Sequence, residues 1–335
     1  MTSTAGPHVM DGVMETILGI DVGKFDCHAA LLDGERVARK SFPNTTAGFS
    51  QFAAWLQNRK VGDLRACMES TGGLSEALAT YLVELGHRVS VVNPSRIKAF
   101  GQSELLRTKT DAVDAFLIAR FCRAMDPEPW TPPAQEVREL QALLRHLANL
   151  EETRQEQRNR LEAPLVTEAV RASLQELITA LDAEIKRIEA SIADLFDNHP
   201  KLRRDRELLT SVPGIGEKTA ARIIGEMPDV SIFASSKAAA AYAGLSPEHR
   251  QSGVGAKRTR LSKAGNAHLR RALYFPAVVA MRYNPPLRAM ADRLALRGKP
   301  KMVILGALMR KLVTIAYAIL KSGKPFDAAL AASRA

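Results

Sequence analysis

Hydrophobic and polar positions change rhythm twice along this chain. In the first third, short β-rich runs alternate with helical ones. Thr16 to Asp21 (TILGID), 27–32 and 36–42 read as strands, the last two separated by a turn at Asp33-Gly34. Phe49, Phe52, Ala53 and Leu56 share one helical face behind Thr45 or Thr46, either of which can cap it. Leu64 to Met68 reads as a buried strand ending at Glu69, 74–85 as an amphipathic helix stopped by Gly86, and 88–92 as a strand closed by Asn93-Pro94. A helix from about 109 to 125 follows. Three strands, helix, strand, helix, strand, helix predict a mixed α/β layer domain over 16–126, behind a loose tail at 1–15.

Residues 126–133 (DPEPWTPP) form a proline-rich linker, and beyond it the pattern becomes long charged helix. Leu174, Ile178, Leu181, Ile185, Ile188, Ile192 and Leu195 alternate spacings of four and three, a coiled-coil seam. Leu140, Leu143, Leu147 and Leu150 carry a weaker one, and Pro164 between them should break the helix. The expectation for 127–200 is a linker and coiled-coil helices, suited to packing or oligomer contact. From 201 to 335 a compact, mostly helical domain is expected, opening on SVPGIG and a helix over 217–227.

Composition adds a partner. The chain has 335 residues, 46% of them hydrophobic, enough for two or three domains. Its 47 Lys and Arg against 36 Asp and Glu give a net charge of +11, which points to a polyanion, most plausibly nucleic acid. Between 250 and 311 stand fifteen Lys or Arg and one acid, Asp292, so the positive potential is concentrated there. Cys27, Cys67 and Cys122 form no C-x-x-C pair and fit a reducing compartment. No run of eighteen apolar residues predicts a membrane span, and 1–12 lack the features of a signal peptide.

The candidate chemistry begins with carboxylates. Asp21 ends the first strand in GIDVGK, Glu69 ends a later one in MESTG, and Asp111 and Asp114 lie three apart at the start of a helix in TKTDAVDA, on one face. Four such acids repel unless cations sit between them. Mg²⁺ prefers oxygen ligands, and a two-ion site activates an attacking oxygen while stabilising the leaving one. Each acid alone also fits a turn or helix cap. In the basic half, Ser252 lies in a glycine-bearing loop, QSGVG, beside Arg250, Lys257 and Arg258. A serine flanked by cations can attack phosphorus, although Ser246 and Ser262 are close by and most loop serines are merely solvated. Arg250, Lys257, Arg258, Arg260, Lys263, Arg270 and Arg271 suit phosphate contacts. Lys24 and Lys109 beside the acids are further candidates, as are Gly214, Gly216 and Lys218 in a turn like that of helix-hairpin-helix modules. An ordinary tight turn is the equal alternative there.

In this order the motifs resemble the DEDD transposases of the insertion sequence 110 family, relatives of the Piv-type DNA invertases, over nearly the whole chain. GIDVGK, MESTG and KTDAVDA are similar to the family's acidic tetrad in a RuvC-like, RNase H-like domain. AGLSP, QSG and KAGNAHLRR are similar to its C-terminal transposase domain, with Ser252 at the position of the nucleophilic serine. The resemblance implies a cytoplasmic bacterial enzyme that excises and inserts its element as double-stranded DNA. It also implies Mg²⁺ at the tetrad, a phosphoserine link, a structured noncoding bridge RNA pairing with donor and target DNA, and dimers or tetramers with active sites completed by two subunits. The rivals are a RuvC-type metal-dependent Holliday junction nuclease using water, an actin-like sugar kinase or ATPase sharing GIDVGK, and a noncatalytic DNA-binding protein.

Overall fold

The computed structural model describes residues 16–71, 73–104, 111–227, 229–250 and 258–329; the tail expected at 1–15 lies outside them. The chain divides between Pro132 and Pro133 into two compact units.

In the first unit, β1 (Thr16–Val22), β2 (Asp26–Asp33), β3 (Arg36–Pro43), β4 (Leu64–Glu69) and β5 (Arg88–Val92) form one sheet in the order β3-β2-β1-β4-β5. β2 is antiparallel to both neighbours, and β1, β4 and β5 are parallel. This is the RNase H-like arrangement. β1 is central and buried on both faces, so it reads as almost continuously apolar. Leu18, Ile20 and Met68 turn to a core with Phe52 of α1 (Thr46–Gln57) and Leu78 and Leu82 of α2 (Gly73–Glu84). Ile17, Cys67 and Val92 turn the other way, to Ile118, Phe121 and Cys122 of α4 (Asp111–Met125). Thr45 proves to be the α1 cap, its hydroxyl accepting from the Gly48 amide at 3.2 Å.

The sequence reading missed α3 (Pro94–Ser103). Asn93-Pro94 was expected only to close β5, but the Asn93 side chain accepts from the Ser95 amide and Pro94 takes the first helical position, where its missing N–H costs nothing. The linker also starts later than expected. The Trp130 amide donates to the Val89 carbonyl at 2.7 Å, and Ser90 Oγ to the Pro127 carbonyl at 2.8 Å, so 127–130 lie along β5.

The second unit is helical. α5 (Gln135–Leu161) and α6 (Glu168–Asn198) run antiparallel, with Pro164 in the reversal between them and Arg154 bonded to Asp182 across the pair at 2.7 Å. Ile185, Ile188, Ile192 and Leu195 share a core with Leu140, Leu144 and Leu147, and with α7 (Pro200–Thr210) and α8 (Glu217–Glu226). Leu174 is buried too and Ile178 and Leu181 are half-buried, so the whole seam faces inward within the chain; off the seam, near the reversal, Leu165, Val170 and Leu177 stay exposed. Then come α9 (Ser236–Tyr242), a hairpin of β6 (Pro247–Arg250) and β7 (Arg258–Leu261) that the sequence does not predict, α10 (Ala267–Ala272), α11 (Tyr274–Tyr283), α12 (Pro285–Leu296) and α13 (Lys301–Ser322). By length and composition α13 is apolar enough to cross a membrane, a helix the run-length test passed over because Arg310-Lys311 interrupts it. Here Leu308, Leu312, Val313 and Ala316 are fully buried, making α13 the central helix of this unit's core.

Candidate functional site

The sheet brings the predicted acids toward one end. Asp21 is the penultimate residue of β1 and Glu69 the last of β4. Ile20 and Met68 are partners in the parallel register, so Asp21 and Glu69 stand one step further on, side by side. Alternation puts both on the face covered by α4, with Ile17, Gly19 and Cys67 behind them. The direction of α4 follows from three contacts. Its C-terminal end lies over the start of β4, where Arg65 donates to the Cys122 carbonyl and the Asp126 carboxylate, each at 2.8 Å. Its middle lies on Gly19, where an added Cβ would come within 2.2 Å of the Ala115 carbonyl oxygen and 2.3 Å of the Ala119 nitrogen. Its first turn, with Asp111 and Asp114, therefore points toward the strand ends that carry Asp21 and Glu69. Asp21, Glu69 and Asp114 are all half-buried; the Asp111 side chain lies outside the described residues.

A contact this close admits no side chain at position 19. Gly19→Ala should push α4 off the sheet at a cost of at least about 2 kcal/mol, since overpacking of this kind typically costs 1–3. The test is the urea midpoint of the purified variant.

The surroundings suit anionic oxygen chemistry. The buried Cys27 thiol, next to Val22 in the β1–β2 register, is pushed up to about 12, by burial first and then by the charges of Asp21 and Asp26. It packs with Leu18 and Ile20 on the α1 and α2 side of the sheet, the face opposite Asp21 and Glu69. Cys67 is pushed up too, first by its hydrogen bond with Cys122 and then by burial. His28 has no metal-ligand spacing, yet the antiparallel register pairs it with Asp21, and its Nδ1 lies 2.9 Å from Ser41 Oγ. Only the strand register could have found it. Among the described residues no three His, Cys, Asp or Glu side chains are grouped closely enough to hold an ion, so the three described carboxylates converge in direction without forming a closed cage.

In the second unit Ser252 and Lys257 lie outside the described residues, as does Lys109 in the first; the side chains of Arg250 and Arg258 also lie outside them. The backbones of Arg250 and Arg258 pair as the last rung of the β6–β7 ladder. Arg260 faces Glu248 across the ladder, an acid just outside the basic stretch counted in the sequence. Arg270 is turned inward, donating to the Ala243 and Lys263 carbonyls at 3.2 and 3.3 Å, and burial and then Arg271 lower its pKa. Lys263 has left-handed backbone, φ 54°, while Arg271 is exposed. Lys218 is bonded to Glu189 of α6 at 2.5 Å. Gly214 (φ 108°) packs on Pro276 and Ala280 of α11, and Gly216 precedes α8 with open space around it. Lys24 is exposed in the β1–β2 turn, 5.2 Å from the centre of the Phe25 ring.

A sheet of this order, with carboxylates at the ends of its first and fourth strands and in the first turn of the helix that covers it, is an RNase H-like domain, here followed by a basic helical unit. Residues 18–169 match a transposase family of the DEDD, IS110 type, and 206–292 match the transposase IS116/IS110/IS902 family. The pilin gene-inverting protein of Moraxella bovis is 34% identical over 93% of this chain and 98% of its own. The transposase for insertion sequence element IS1328 of Yersinia enterocolitica is 27% identical over 93% of this chain and 98% of its own. Among solved structures, Thermus thermophilus RuvC aligns at 13% identity, with a TM-score of 0.27, over 34% of this chain and 99% of that one. The chain belongs to the IS110 family of transposases.

Proposed function

We propose that the chain is a Mg²⁺-dependent DNA transposase that excises and inserts its element as duplex DNA, with Ser252 as the nucleophile. The observation that carries the reading is the direction of α4, whose first turn is aimed at the strand ends bearing Asp21 and Glu69. Asp21, Glu69, Asp111 and Asp114 would hold the metal. Their oxygen donors fit Mg²⁺ better than a soft ion. Bound there, the ion supplies charge stabilisation at the reacting phosphate. Ser252 attacks phosphorus through Oγ: the Oγ–P bond forms, a strand oxygen leaves, and the serine proton is released. Arg250, Lys257, Arg258, Arg260 and Arg271 contact DNA phosphates, and Lys24, Lys109, Gly214 and Gly216 remain further candidates. Lys218, Lys263 and Arg270 also carry the structural contacts described above.

RNA guidance and assembly belong to the same proposal. The family resemblance and the basic stretch support a structured guide RNA that pairs with donor and target. The exposed Leu165, Val170 and Leu177 near the α5–α6 reversal support assembly of two or four copies. The sugar-kinase alternative would need a second domain like the first; the described residues of the second unit are helices and one two-stranded hairpin. With a donor plasmid, a target plasmid and the element's noncoding RNA, joined product should form with Mg²⁺. It should vanish when EDTA removes the metal and return on re-addition. Recombination that persists in EDTA would defeat the metal assignment; cleavage without joining would favour the junction nuclease.

A further inference from the structure

We infer that Arg310 of α13 is a positioning residue that fixes the base of the β6–β7 hairpin, between whose strands Ser252 stands in the sequence, on the helical core of the second unit. Its catalytic consequence rests on Ser252 being the nucleophile; its structural part does not.

A two-stranded ladder with four residues per strand is not stable alone and takes its direction from whatever holds its base. Here the base is a short crossed segment. The Ser262 amide donates to the Ser246 carbonyl at 2.9 Å, the Lys263 amide to the Gly244 carbonyl at 3.1 Å, and the Asn266 amide to the Tyr242 carbonyl at 2.7 Å. Three residues there have positive φ: Gly244 (67°), Lys263 (54°) and Gly265 (149°). A Cβ on Gly265 would lie 2.2 Å from the Tyr242 carbonyl oxygen, so the two passes of chain touch. Backbone bent this way leaves carbonyls that no regular ladder satisfies, and such groups need donors from elsewhere.

Two guanidinium groups supply them. Arg270 Nη1 serves the Ala243 and Lys263 carbonyls. Arg310 Nη1 donates to the Leu245 carbonyl at 3.2 Å and to Ser246 Oγ at 3.1 Å, reaching the strand that enters the hairpin. One turn before Arg310, Gly306 gives β7 a seat: a Cβ there would meet Leu261 Cδ1 at 3.0 Å. The incoming and outgoing strands are thus held at two points on one rigid, largely buried helix. Hydrogen bonds from a cation are about twice as strong as neutral ones, and a planar guanidinium fixes angle as well as distance. Displacement of a reacting group by about 1 Å costs on the order of 100-fold in rate, so the anchoring of this hairpin base bears on chemistry at a serine between its strands.

The test uses full-length Arg310→Met and Arg310→Lys. Three quantities are read: amide hydrogen exchange at Ser262 and Lys263, DNA affinity, and the rate at which labelled DNA becomes covalently attached to protein. Arg310→Met should speed exchange at those two amides about tenfold, the loss of one charge-assisted bond. Exchange in α5, α6 and the first unit should be unchanged, DNA affinity should stay within about threefold, and the attachment rate should fall about 100-fold. Arg310→Lys, which keeps the charge but not the planar guanidinium, should recover only part of that rate. It also serves if the Met variant does not fold. Unchanged exchange at Ser262 and Lys263 overturns the anchoring. Faster exchange with an unchanged attachment rate overturns the catalytic consequence. Should Ser252→Ala still attach DNA, the nucleophile assignment fails instead, while exchange continues to decide the anchoring.

Discussion

Asp21→Asn is expected to lower Mg²⁺-dependent strand transfer by more than about 100-fold while leaving the fold in place. Groups that merely support metal ligands cost about 10–100-fold when lost, so a direct ligand should cost more. Asn keeps the shape of Asp and removes its charge. Asp21 stands beside Glu69 on the neighbouring strand, with the first turn of α4 aimed at both. Two carboxylates held together repel when no metal is present. Removing one should therefore leave the metal-free protein at least as stable as the native chain. The native melting temperature should rise with added Mg²⁺, because a ligand that binds only the folded state stabilises it, and that rise should be lost in the variant. A drop in metal-free stability with the Mg²⁺ response intact would mark Asp21 as a structural acid.

Ser252→Ala should abolish covalent attachment of DNA to protein, a loss on the order of 10⁴ or more as for removal of other enzyme nucleophiles. Attachment is read as a labelled strand that stays with the protein through denaturing electrophoresis. The paired comparison with Asp21→Asn carries the information. If the serine and the metal act in one step, both variants lose the adduct. If Ser252→Ala still cuts DNA at the native rate and no adduct forms with either protein, water is the nucleophile and the junction nuclease is the correct account.

Much of the first unit was legible because its strands announce themselves. Ile17 to Val22 is apolar on both faces, and Asp21 interrupts it where the strand meets solvent. Asn93-Pro94 misled because the same pair that ends a strand also begins a helix, and only packing of Ile97 on the sheet decides between them. In the second unit the heptad seam was plain, but periodicity reports a buried stripe and not its occupant. Here the chain itself covers it, with Leu140, Leu144 and Leu147 packed on its C-terminal half. The hairpin was hidden for another reason. His249 to Arg250 and Arg258 to Arg260 are polar and charged, with no alternation to mark them, and β6–β7 exists through its anchoring at Arg270 and Arg310. Arg270 was accordingly read as a phosphate contact when its guanidinium faces backbone carbonyls. Arg310 drew no notice because a single arginine within an apolar helix has no sequence signature of its task.

The burial of α13 bears on how the chain is made. Domains fold as they leave the ribosome, the N-terminal one first. Each strand of the first sheet, and the α4 that covers it, is synthesised within the first 125 residues, so that unit can close early. The second cannot, because α13 follows every other described helix of its core. Until it emerges, Leu209, Leu269, Leu273 and Leu287 lack the α13 part of the core they share, and Arg310 is not there to fix the hairpin. The acidic half of the protein is thus complete during translation while the basic half is still an open, sticky chain. Loss of the last helix by truncation or a frameshift would leave a folded first unit attached to an aggregation-prone remainder.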